Sequence, residues 1–565
     1  MVDRRFGDPG PASDEAMRLA TELGLSFTVG DVLHRRGIEA GEAIERWLAP
    51  KLGQLTSPEG MADREVATLR IAKAIREGES IAVFGDYDCD GITAAAILTE
   101  GIVALGGKAE PFLASRFAGG YGFSMPALDR VLSSGATLLI TCDCGSSDHE
   151  RLQIAMDKGL DAVVVDHHLV PDKPLPAVAF LNPHRPECGF PYKGLASCGL
   201  ALSVIAALRK ELDVKLDVRR WLDLVAIGTV ADVAPLDGDN RVLVRKGLEV
   251  IDRGARVGLA ALVSRATRGR PHPMSSEDIA FQIAPRINAP GRLGAPDAAL
   301  ALLLEQDPAR AAQMADAIEE QTVLRREIQK QMIAEALEEI ARQGYAEDAA
   351  IMLAREGWHA GVVGIVAGRI ADEFGKPTVI ASIEGDEARG SVRGPSGFRL
   401  HDALTASSGE LTKFGGHQAA AGVEMRADNI AGFREAWCRE CAAQIAEAPP
   451  VEETALAEVR LDPRDDVGAV LADLEQLEPC GEGNRPPKLL FGQVRVLEAR
   501  VVGGDHLKLS LDVAGKKLSA FAPGMAEVRA QVRGKAVTLV GRLKRDHWRG
   551  GRLPEVLVEA MIPLA

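Results

Sequence analysis

The chain has 565 residues, too many for one hydrophobic core, and domains of roughly 100–200 residues predict three or four of them. Its composition, 46% hydrophobic and 26% charged, indicates a globular protein, and no apolar run approaches the roughly 20 residues that cross a bilayer. The formal net charge of −15 excludes a surface broadly attractive to nucleic acid, although a local basic channel is compatible with it.

The N-terminal part predicts neither a secretory signal nor a disulfide-bonded protein. Residues 1–77 are expected to form a helical or irregular extension, in which Arg4 and Arg5 are followed by Gly, Pro and acidic residues instead of an apolar segment. The eight cysteines are scattered over the chain, as in proteins of a reducing compartment. We therefore expect a cytoplasmic protein that does not contact a membrane.

Four short apolar runs within residues 78–305 predict strands. They are continuous rather than alternating, which is typical of strands that are buried on both faces. Stretches rich in Ala and Leu, such as 93–105, lie between them and indicate helices. The alternation predicts an α/β unit with a doubly wound parallel sheet. The four strands are 80–85, 136–141, 161–166 and 177–182.

A long helix is predicted for residues 306–345. Asp307 suits the N-cap and Pro308 the first helical position, and the residues that follow contain no Gly or Pro until Gly344. Because this helix lies between two α/β patterns, we expect it to connect two domains.

Two further domains are predicted after the helix. Residues 346–450 resume the α/β alternation, with strands at 349–354 and 377–382 and a helix at 362–375. Residues 451–565 instead alternate apolar and polar residues at a period of two between Gly-containing turns, which favours a five-stranded β-barrel of the OB type.

Polar side chains follow three of the predicted strands at the point where each strand ends. The carboxyl ends of parallel strands meet at one edge of a sheet, so these side chains should lie close together. Any one Asp could simply cap the next helix, but carboxylates packed together repel one another, and a cation resolves that repulsion. Mixed carboxylate and imidazole groups favour Mn²⁺ or Mg²⁺, and their number predicts two ions, which suits phosphoester hydrolysis. The candidates are Asp86, Asp88, Asp90, Asp143, Asp166, His167, His168 and, in a helix-like stretch before Pro235, Asp232.

The motifs "GDYDCDGITA", "DCG" and "VVVDHH" resemble the successive motifs of the DHH phosphoesterase superfamily, which is named after the triplet at 166–168. The resemblance extends to "GTVADVAPL", "PRINAPGRLG" and "GGHQAAAG". It implies a DHH catalytic domain at 78–305, a DHHA1 domain at 346–450 and an OB fold at 451–565.

The resemblance also implies roles for the clustered residues. His168 would bind metal or phosphate in catalysis, and Asp166 would orient the imidazoles. One position departs from the wider superfamily, where a His is often found and this chain has Phe84; Asp86 could supply the missing ligand. The implied metal ligands are Asp86, Asp88, Asp90, Asp143, His167 and Asp232.

Other residues are candidates for holding a nucleic acid. Arg286 and Asn288 lie in a stretch bounded by Pro and Gly, 281–294, which predicts a loop; the resemblance implies that they act on phosphate oxygens, and the alternative is a turn with a solvated Arg. A basic hairpin around Trp548 would bind a single strand or merely be solvated. Glycine amides at 415–416 would approach phosphate, or the segment would be a helix entry. The remaining candidates are Arg116, Tyr121, Ser391, Arg393, Gly415, Gly416 and His417.

Within the superfamily the chain resembles bacterial 5′→3′ exonucleases, and this implies a processive, metal-dependent enzyme that releases 5′-mononucleotides from single-stranded DNA in recombination and repair. The implied partners are single-stranded DNA, a single-strand-binding protein and a helicase, and the chain is expected to be a monomer. Two enzyme alternatives are a phosphodiesterase for short oligonucleotides or cyclic dinucleotides and an inorganic pyrophosphatase. A further alternative is a catalytically silent DNA-binding scaffold.

Overall fold

A fully parallel sheet forms the centre of the first α/β unit, as the sequence predicts, but it has five strands where the sequence analysis expected four. Its strand order is 2-1-3-4-5, so the first, third and fourth strands are neighbours. The strands are β1 (Ser80–Gly85), β2 (Lys108–Leu113), β3 (Leu138–Cys142), β4 (Asp161–Val165) and β5 (Ala179–Leu181). The computed structural model describes residues 7–38, 40–269, 272–416, 420–447, 457–547 and 550–564 of the chain.

Helices cover both faces of this sheet, which confirms the doubly wound arrangement. Successive residues of β1 show why: Ile81 and Val83 belong to one buried apolar cluster, and Ala82 and Phe84 belong to another. The helices before and within the unit are α1 (Asp14–Leu23), α2 (Phe27–Arg35), α3 (Glu42–Leu48), α4 (Arg64–Glu77), α5 (Cys89–Ala104), α6 (Met125–Ser133), α7 (His149–Asp157), α8 (Ser197–Glu211), α9 (Leu222–Ala231), α10 (Gly238–Asp252), α11 (Val257–Ala266), α12 (Ser276–Asp278), α13 (Ala284–Arg292) and α14 (Asp297–Leu304).

The long helix α15 (Pro308–Gln343) follows the prediction closely. The Asp307 side chain accepts a hydrogen bond from the backbone N–H of Arg310, and Gly344 ends the helix with a φ of 74°. A left-handed backbone of this kind favours glycine and closes a helix. One side of α15 is exposed, and its other side packs on α11 and α13.

The second α/β unit has a mixed sheet of five strands in the order 6-7-8-10-9. Only the first two strands of that order are parallel, and the remaining pairs are antiparallel. Its elements are β6 (Ile351–Glu356), α16 (Val363–Phe374), β7 (Thr378–Glu384), β8 (Glu387–Arg393), α17 (Leu400–Ala406), β9 (Lys413–Gly416), β10 (Ala420–Arg426) and α18 (Ile430–Glu447).

The C-terminal domain is a closed five-stranded barrel of the OB type, because β12 pairs with both β13 and β15. The helices α1 to α3 pack on this barrel: Val29, Val32 and Leu33 share an apolar cluster with Val470 and Leu489. Within the described ranges, no helix has the length and apolarity of a membrane span. The barrel elements are β11 (Val459–Arg460), α19 (Val467–Leu474), β12 (Leu489–Val502), β13 (His506–Val513), β14 (Lys516–Ala522), α20 (Arg529–Val532), β15 (Ala536–Arg545) and β16 (Pro554–Pro563).

The structure corrects one sequence-based expectation near the site. Residues 281–294 do not form a loop: a π-helical turn spans Ile279–Ile283, and α13 continues to Arg292 with Pro290 inside it. Proline removes one hydrogen-bond donor, and Pro290 lies close to the C-terminal end of this short helix. Inserted π-helical turns of this kind occur often at functional sites.

Candidate metal centre and nucleic-acid interface

Three aspartates continue the parallel sheet by one residue past its strands. The backbone N–H of Asp86 donates to the carbonyl of Cys142, that of Asp143 to Val165, and that of Asp166 to Leu181, at 3.3, 3.0 and 3.0 Å. The sheet register therefore fixes these carboxylates side by side at its carboxyl edge, where ligands of open α/β sheets bind. Asp143 also adopts a left-handed backbone, with a φ of 62°.

His167 lies at the centre of the cluster. Its Nε2 is 3.3 Å from Asp143 Oδ1, 3.6 Å from Asp232 Oδ2 and 4.0 Å from Asp90 Oδ2. Among the described residues this buried nitrogen has no hydrogen-bond partner, and neither has Asp86 Oδ2. Buried polar atoms are normally hydrogen-bonded, so two such atoms without a hydrogen bond among carboxylates fit the binding of a cation.

Two sets of side chains are close enough to hold an ion, and they share His167. Within each set the ligand atoms lie within 4.8 Å of one another. The oxygen-rich donor set with imidazole suits Mn²⁺ or Mg²⁺. Neither set includes Asp86 or Asp88. The sets are Asp143, His167 and His168, and Asp90, His167 and Asp232.

The electrostatics of the metal-free cluster are unfavourable for carboxylates. Burial, and then the charge of Asp88, raises the pKa of Asp86 well above its usual value, and burial likewise raises the pKa values of Asp90 and Asp143. Burial and the neighbouring Asp90 raise the pKa of Asp232 to about 8. A bound cation would favour the ionised forms, so the site is built for positive charge.

Backbone amides hold two of the acidic side chains in place. Asp88 caps α5 by accepting from the N–H groups of Asp90 and Gly91, at 3.1 and 3.2 Å. Asp90 accepts from the first amides of α8, those of Ser197 and Cys198, at 2.7 and 3.0 Å. The capping interpretation of Asp88 is therefore correct, and it leaves the carboxylate at the mouth of the site.

His168 is oriented by Asp166. The Asp166 Oδ1 lies 2.7 Å from His168 Nδ1, and Asp166 Oδ2 accepts from the backbone of Ser146 at 3.0 Å. Burial disfavours the imidazolium, but the hydrogen bond to Asp166 and the charges of Asp166, Asp232 and Asp88 together outweigh it and raise the pKa of His168 to about 9. The Asn182 side chain donates to the carbonyl of His168 at 2.8 Å, and the hydroxyl of Tyr121 lies 3.1 Å from Nε2. The sequence analysis missed Ser146 and Asn182, although Asn182 ends a predicted strand in the same way as the acidic residues do.

A group of arginines lies between the two α/β units and α15. The guanidinium of Arg116 lies 3.7 Å above the ring of Tyr87, and its Nε has no hydrogen-bond partner among the described residues. Burial, followed by the charges of Arg116 and Arg325, lowers the pKa of Arg292 to about 9. Burial and Arg116 also lower the pKa of Arg393. Mutual repulsion among buried guanidiniums indicates a site for anions, a local concentration of positive charge that the net charge of −15 leaves possible.

Ser391 and Arg393 lie on β8 beside the first turn of α16. A Cβ atom built on Gly364 would be 3.0 Å from Ser391 Oγ and 3.3 Å from Arg393 Nη2, so glycine leaves room at this helix start. Backbone N–H groups at a helix N-terminus attract anions. The two predicted substrate residues are thus brought together with Arg116.

Arg286 is placed differently from the expectation. Its Nε and Nη2 donate to Glu319 of α15 at 2.6 and 3.0 Å, and its Nη1 donates to the carbonyl of Gln282 at 2.8 Å. These bonds occupy its guanidinium in an ion pair between helices, so a role on phosphate would require that pair to open. The predicted partner Asn288 is half-buried, and its Oδ1 accepts no hydrogen bond within the described part.

The remaining predicted nucleic-acid contacts lie in the second α/β unit and in the barrel domain. Gly415 and Gly416 lie in β9 and pair with Gly422 and Ala421 of β10, so the helix-entry alternative is wrong. His417 and Trp548 lie outside the described residues.

A groove of about 390 Å³ lies on the barrel, and its charges are nearly balanced. Arg500, Lys508 and Lys517 line it together with Glu498 and Asp546. Lys508 is paired with Glu555, and its Nζ is 3.6 Å from Asp546 Oδ2. This groove therefore carries little excess positive charge.

Comparison with known proteins identifies all three domains. Residues 80–229 match the model of the DHH family N-terminal domain, 347–443 that of the DHHA1 domain, and 458–560 that of the RecJ OB domain. The protein named single-stranded-DNA-specific exonuclease RecJ from Escherichia coli (strain K12) is 32% identical over 552 residues, covering 94% of each chain. The chain belongs to the RecJ family.

Other RecJ proteins agree in sequence and structure. The RecJ from Bacillus subtilis (strain 168) is 31% identical over 557 residues, which cover 97% of this chain and 70% of the relative. The crystal structure of RecJ in complex with Mn²⁺ from Thermus thermophilus is similar, with a TM-score of 0.83 and 29% identity. This match covers 100% of the present chain and 80% of that RecJ chain, and a Mg²⁺ complex of RecJ from the same organism matches with a TM-score of 0.77. The resemblance inferred from the sequence motifs is confirmed.

Proposed function

We propose that this protein is a metal-dependent exonuclease that degrades single-stranded DNA from its 5′ end and releases 5′-mononucleotides. The observation that carries the proposal is the buried Nε2 of His167, next to a group of arginines. It lies within 4.0 Å of three carboxylates but has no hydrogen-bond partner in the part of the chain that the structure describes. RecJ relatives named as single-stranded-DNA-specific exonucleases, and a RecJ structure in complex with Mn²⁺, support it.

The acidic cluster would hold two divalent ions, Mn²⁺ or Mg²⁺. When bound there, such ions activate water and stabilise the attacking and leaving oxygens of an in-line displacement at phosphorus. Asp90, Asp143, His167 and Asp232 supply the ligand atoms, with Asp86 and Asp88 at the border of the site. Asp166 fixes the orientation of His168, so that its Nε2 can contact an oxygen of the scissile phosphate.

The arginine group would hold the 5′ end. Ser391 and Arg393 lie beside the start of α16, and Arg116 is close enough to Arg393 to lower its pKa. A terminal phosphate there would receive charge-assisted hydrogen bonds. Binding of a terminal phosphate at a fixed distance from the metal cluster would release one nucleotide at a time. Tyr121 is 55% exposed, and its ring, held by edge contacts with Tyr87 and His168, would stack on a base beside the cluster.

Selection of single strands would come from the space between the two α/β units. Phe117 and His359 approach each other across it, with ring centroids 5.9 Å apart, and Arg292 donates to the carbonyl of Gly361 at 3.2 Å. These contacts bring the two units close together, so a groove between them would admit one strand more readily than a wider duplex.

The decisive experiment follows nucleotide release from oligonucleotides labelled at the 5′ or the 3′ end, with Mn²⁺, Mg²⁺ or a chelator. We expect 5′-mononucleotides from single strands only, and only with metal. Release from the 3′ end would contradict the assigned polarity. Cleavage restricted to a dinucleotide would instead identify a small-substrate phosphodiesterase.

Variants test the site itself. Asp143→Ala and His167→Ala should abolish turnover, whereas Asp428→Ala, at a side chain that is 88% exposed, should not change it. Wild-type rates in the first two variants would refute the metal assignment and favour a silent scaffold.

We assign this activity to DNA recombination and repair in the cytoplasm, beside a single-strand-binding protein and a helicase. If both α/β units of one chain hold the DNA, no second subunit is needed, so we expect a monomer by light scattering. A dimer at micromolar concentration would contradict this expectation.

A further inference from the structure

Asp232 is followed by a strained turn. It ends α9, and the next residue, Val233, has a φ of 58°. A β-branched residue is unfavourable in the left-handed region, and such a conformation persists only where its surroundings enforce it. The turn that sets the position of this metal-ligand candidate therefore depends on what packs around it.

Part of that packing comes from the barrel domain. The backbone N–H of Leu236 donates to the carbonyl of Glu482 at 2.7 Å, and Leu236 is buried. A Cβ atom built on Gly481 would be 2.7 Å from Leu236 Cδ1. Residues 478–484, called here the docking loop, thus lie directly against the turn after Asp232.

The docking loop is itself held firmly. The side-chain amide of Asn484 donates to the carbonyls of Leu477 and Pro479 at 2.9 and 2.7 Å, and its Oδ1 accepts from Arg36 at 2.7 Å. The backbone of Gly481 donates to the carbonyl of Asn484 at 2.9 Å. A loop closed by its own hydrogen bonds can act as a rigid support.

The helix that follows the turn is anchored in the same place. Arg241 of α10 is only 2% exposed, and its guanidinium lies 3.7 Å above the ring of Trp47. It donates to the carbonyls of Trp47, Leu477 and Pro479 at 2.9, 3.0 and 3.3 Å. Displacement of the docking loop would deprive this buried guanidinium of acceptors, so α10 and the loop move together.

The opposite side of the turn is held by the catalytic unit itself. The hydroxyl of Tyr192 donates to Asp237 Oδ1 at 2.8 Å, and the side-chain amide of Asn240 donates to the carbonyls of Gly194 and Pro235 at 2.5 and 3.0 Å. The turn is therefore clamped between two supports, one of which belongs to another domain.

We infer that the docking loop is a positioning element of the metal centre, which holds Asp232 in register with His167 and so sets the affinity for the metal. The inference rests on the proposed function, since it requires that Asp232 bind the ion. The barrel domain then contributes to the assembly of the catalytic site as well as to contact with DNA. A shift of about 1 Å in a ligand is enough to weaken a site that must hold its geometry within about 0.5 Å.

The test compares Gly481→Ala with Gly53→Ala in the full-length protein. The added methyl group at 481 pushes on Leu236, whereas a Cβ at Gly53 has no atom within 4 Å. We expect the dissociation constant for Mn²⁺, measured by electron paramagnetic resonance of the free ion, to rise at least fivefold in Gly481→Ala and to stay unchanged in Gly53→Ala. The kcat at limiting Mn²⁺ should fall while the KM for DNA stays within twofold, and excess Mn²⁺ should restore kcat.

Hydrogen exchange gives a second readout without metal. The amide of Leu236 should exchange faster in Gly481→Ala, and also in Asn484→Ala, which loosens the docking loop without touching the turn. Unchanged Mn²⁺ affinity in both variants, with faster exchange at Leu236, would overturn the inference and leave the proposed function standing. Failure of the wild-type protein to bind Mn²⁺ would overturn both.

Discussion

Removing one acidic group from the cluster should stabilise the metal-free protein. The pKa of Asp232 is raised to about 8 from 3.8, and its side chain is 22% exposed. The pKa of Asp232 is higher in the folded protein than in the unfolded chain. Between pH 3.8 and about 8 the folded protein therefore binds more protons than the unfolded chain, and its stability falls as the pH rises. At pH 7 this cost is on the order of 4 kcal/mol, and Asp232→Asn removes it.

The assay is thermal unfolding in the presence of a chelator. For the DHH domain, a gain of about 4 kcal/mol in the free energy of unfolding raises the melting temperature by roughly 10 °C. The stability difference between Asp232→Asn and the wild type should shrink to less than half when the pH is lowered to about 5. At that pH the burial of Asp232 destabilises the wild type less. Added Mn²⁺ should raise the melting temperature of the wild type much more than that of the variant.

A matched control is Asp217→Asn. A hydrogen bond from Arg219 lowers the pKa of Asp217 to about 2, so its replacement should slightly destabilise the protein near neutral pH. If Asp232→Asn melts no higher than the wild type in chelator at pH 7, or if its advantage does not depend on pH, the electrostatic reasoning about the cluster is wrong.

Three further predictions concern the DNA site and the scaffold. Tyr121→Phe should keep the KM for DNA, whereas Tyr121→Ala should raise it about tenfold if the ring stacks on a base; equal KM values in steady-state kinetics would exclude stacking. Arg256→Met should lower the free energy of unfolding, measured in urea, by about 3–5 kcal/mol, because Asp223 and Glu100 would lose their buried partner. Arg256→Lys keeps a positive charge, and if it recovers none of that loss, the ion pairs are not the cause. Asp307→Ala should cost about 1 kcal/mol by loss of the N-cap of α15, and no change on denaturation would contradict the capping bond.

The parallel sheet and the grouping of acidic residues and His167 at its edge could be predicted because their signals are local. Strands buried on both faces appear as apolar runs, and the residues at their ends must meet at one edge. The sequence analysis missed β2, which is an edge strand that contains Pro111 and partly exposed residues. It therefore lacks the continuous apolar run of the other strands. In the second unit, β8 to β10 contain glycines and charged residues and gave a similarly weak signal.

Long-range pairs were beyond prediction. The stretch around Arg286 contains two prolines and a glycine, which favour a loop, yet packing against α15 and the pair with Glu319 stabilise a helix there. The contact of the docking loop with the turn after Asp232 could not be predicted either, because only the folded chain brings Glu482 to Leu236. The cluster of arginines likewise draws its members from separate segments.

The first helices pack on the barrel domain, which the ribosome makes much later. The first helices bury Val29 and Leu33 against the barrel, and Arg36 pairs with Glu458, 422 residues further along the chain. At roughly 5–20 residues per second, the ribosome needs about 20–80 s to supply that partner. During this time the apolar faces of the first helices stay exposed beside a catalytic unit that can already fold. The first helices therefore reach their final place only after the barrel domain has been made, and until then their apolar faces are available to a chaperone.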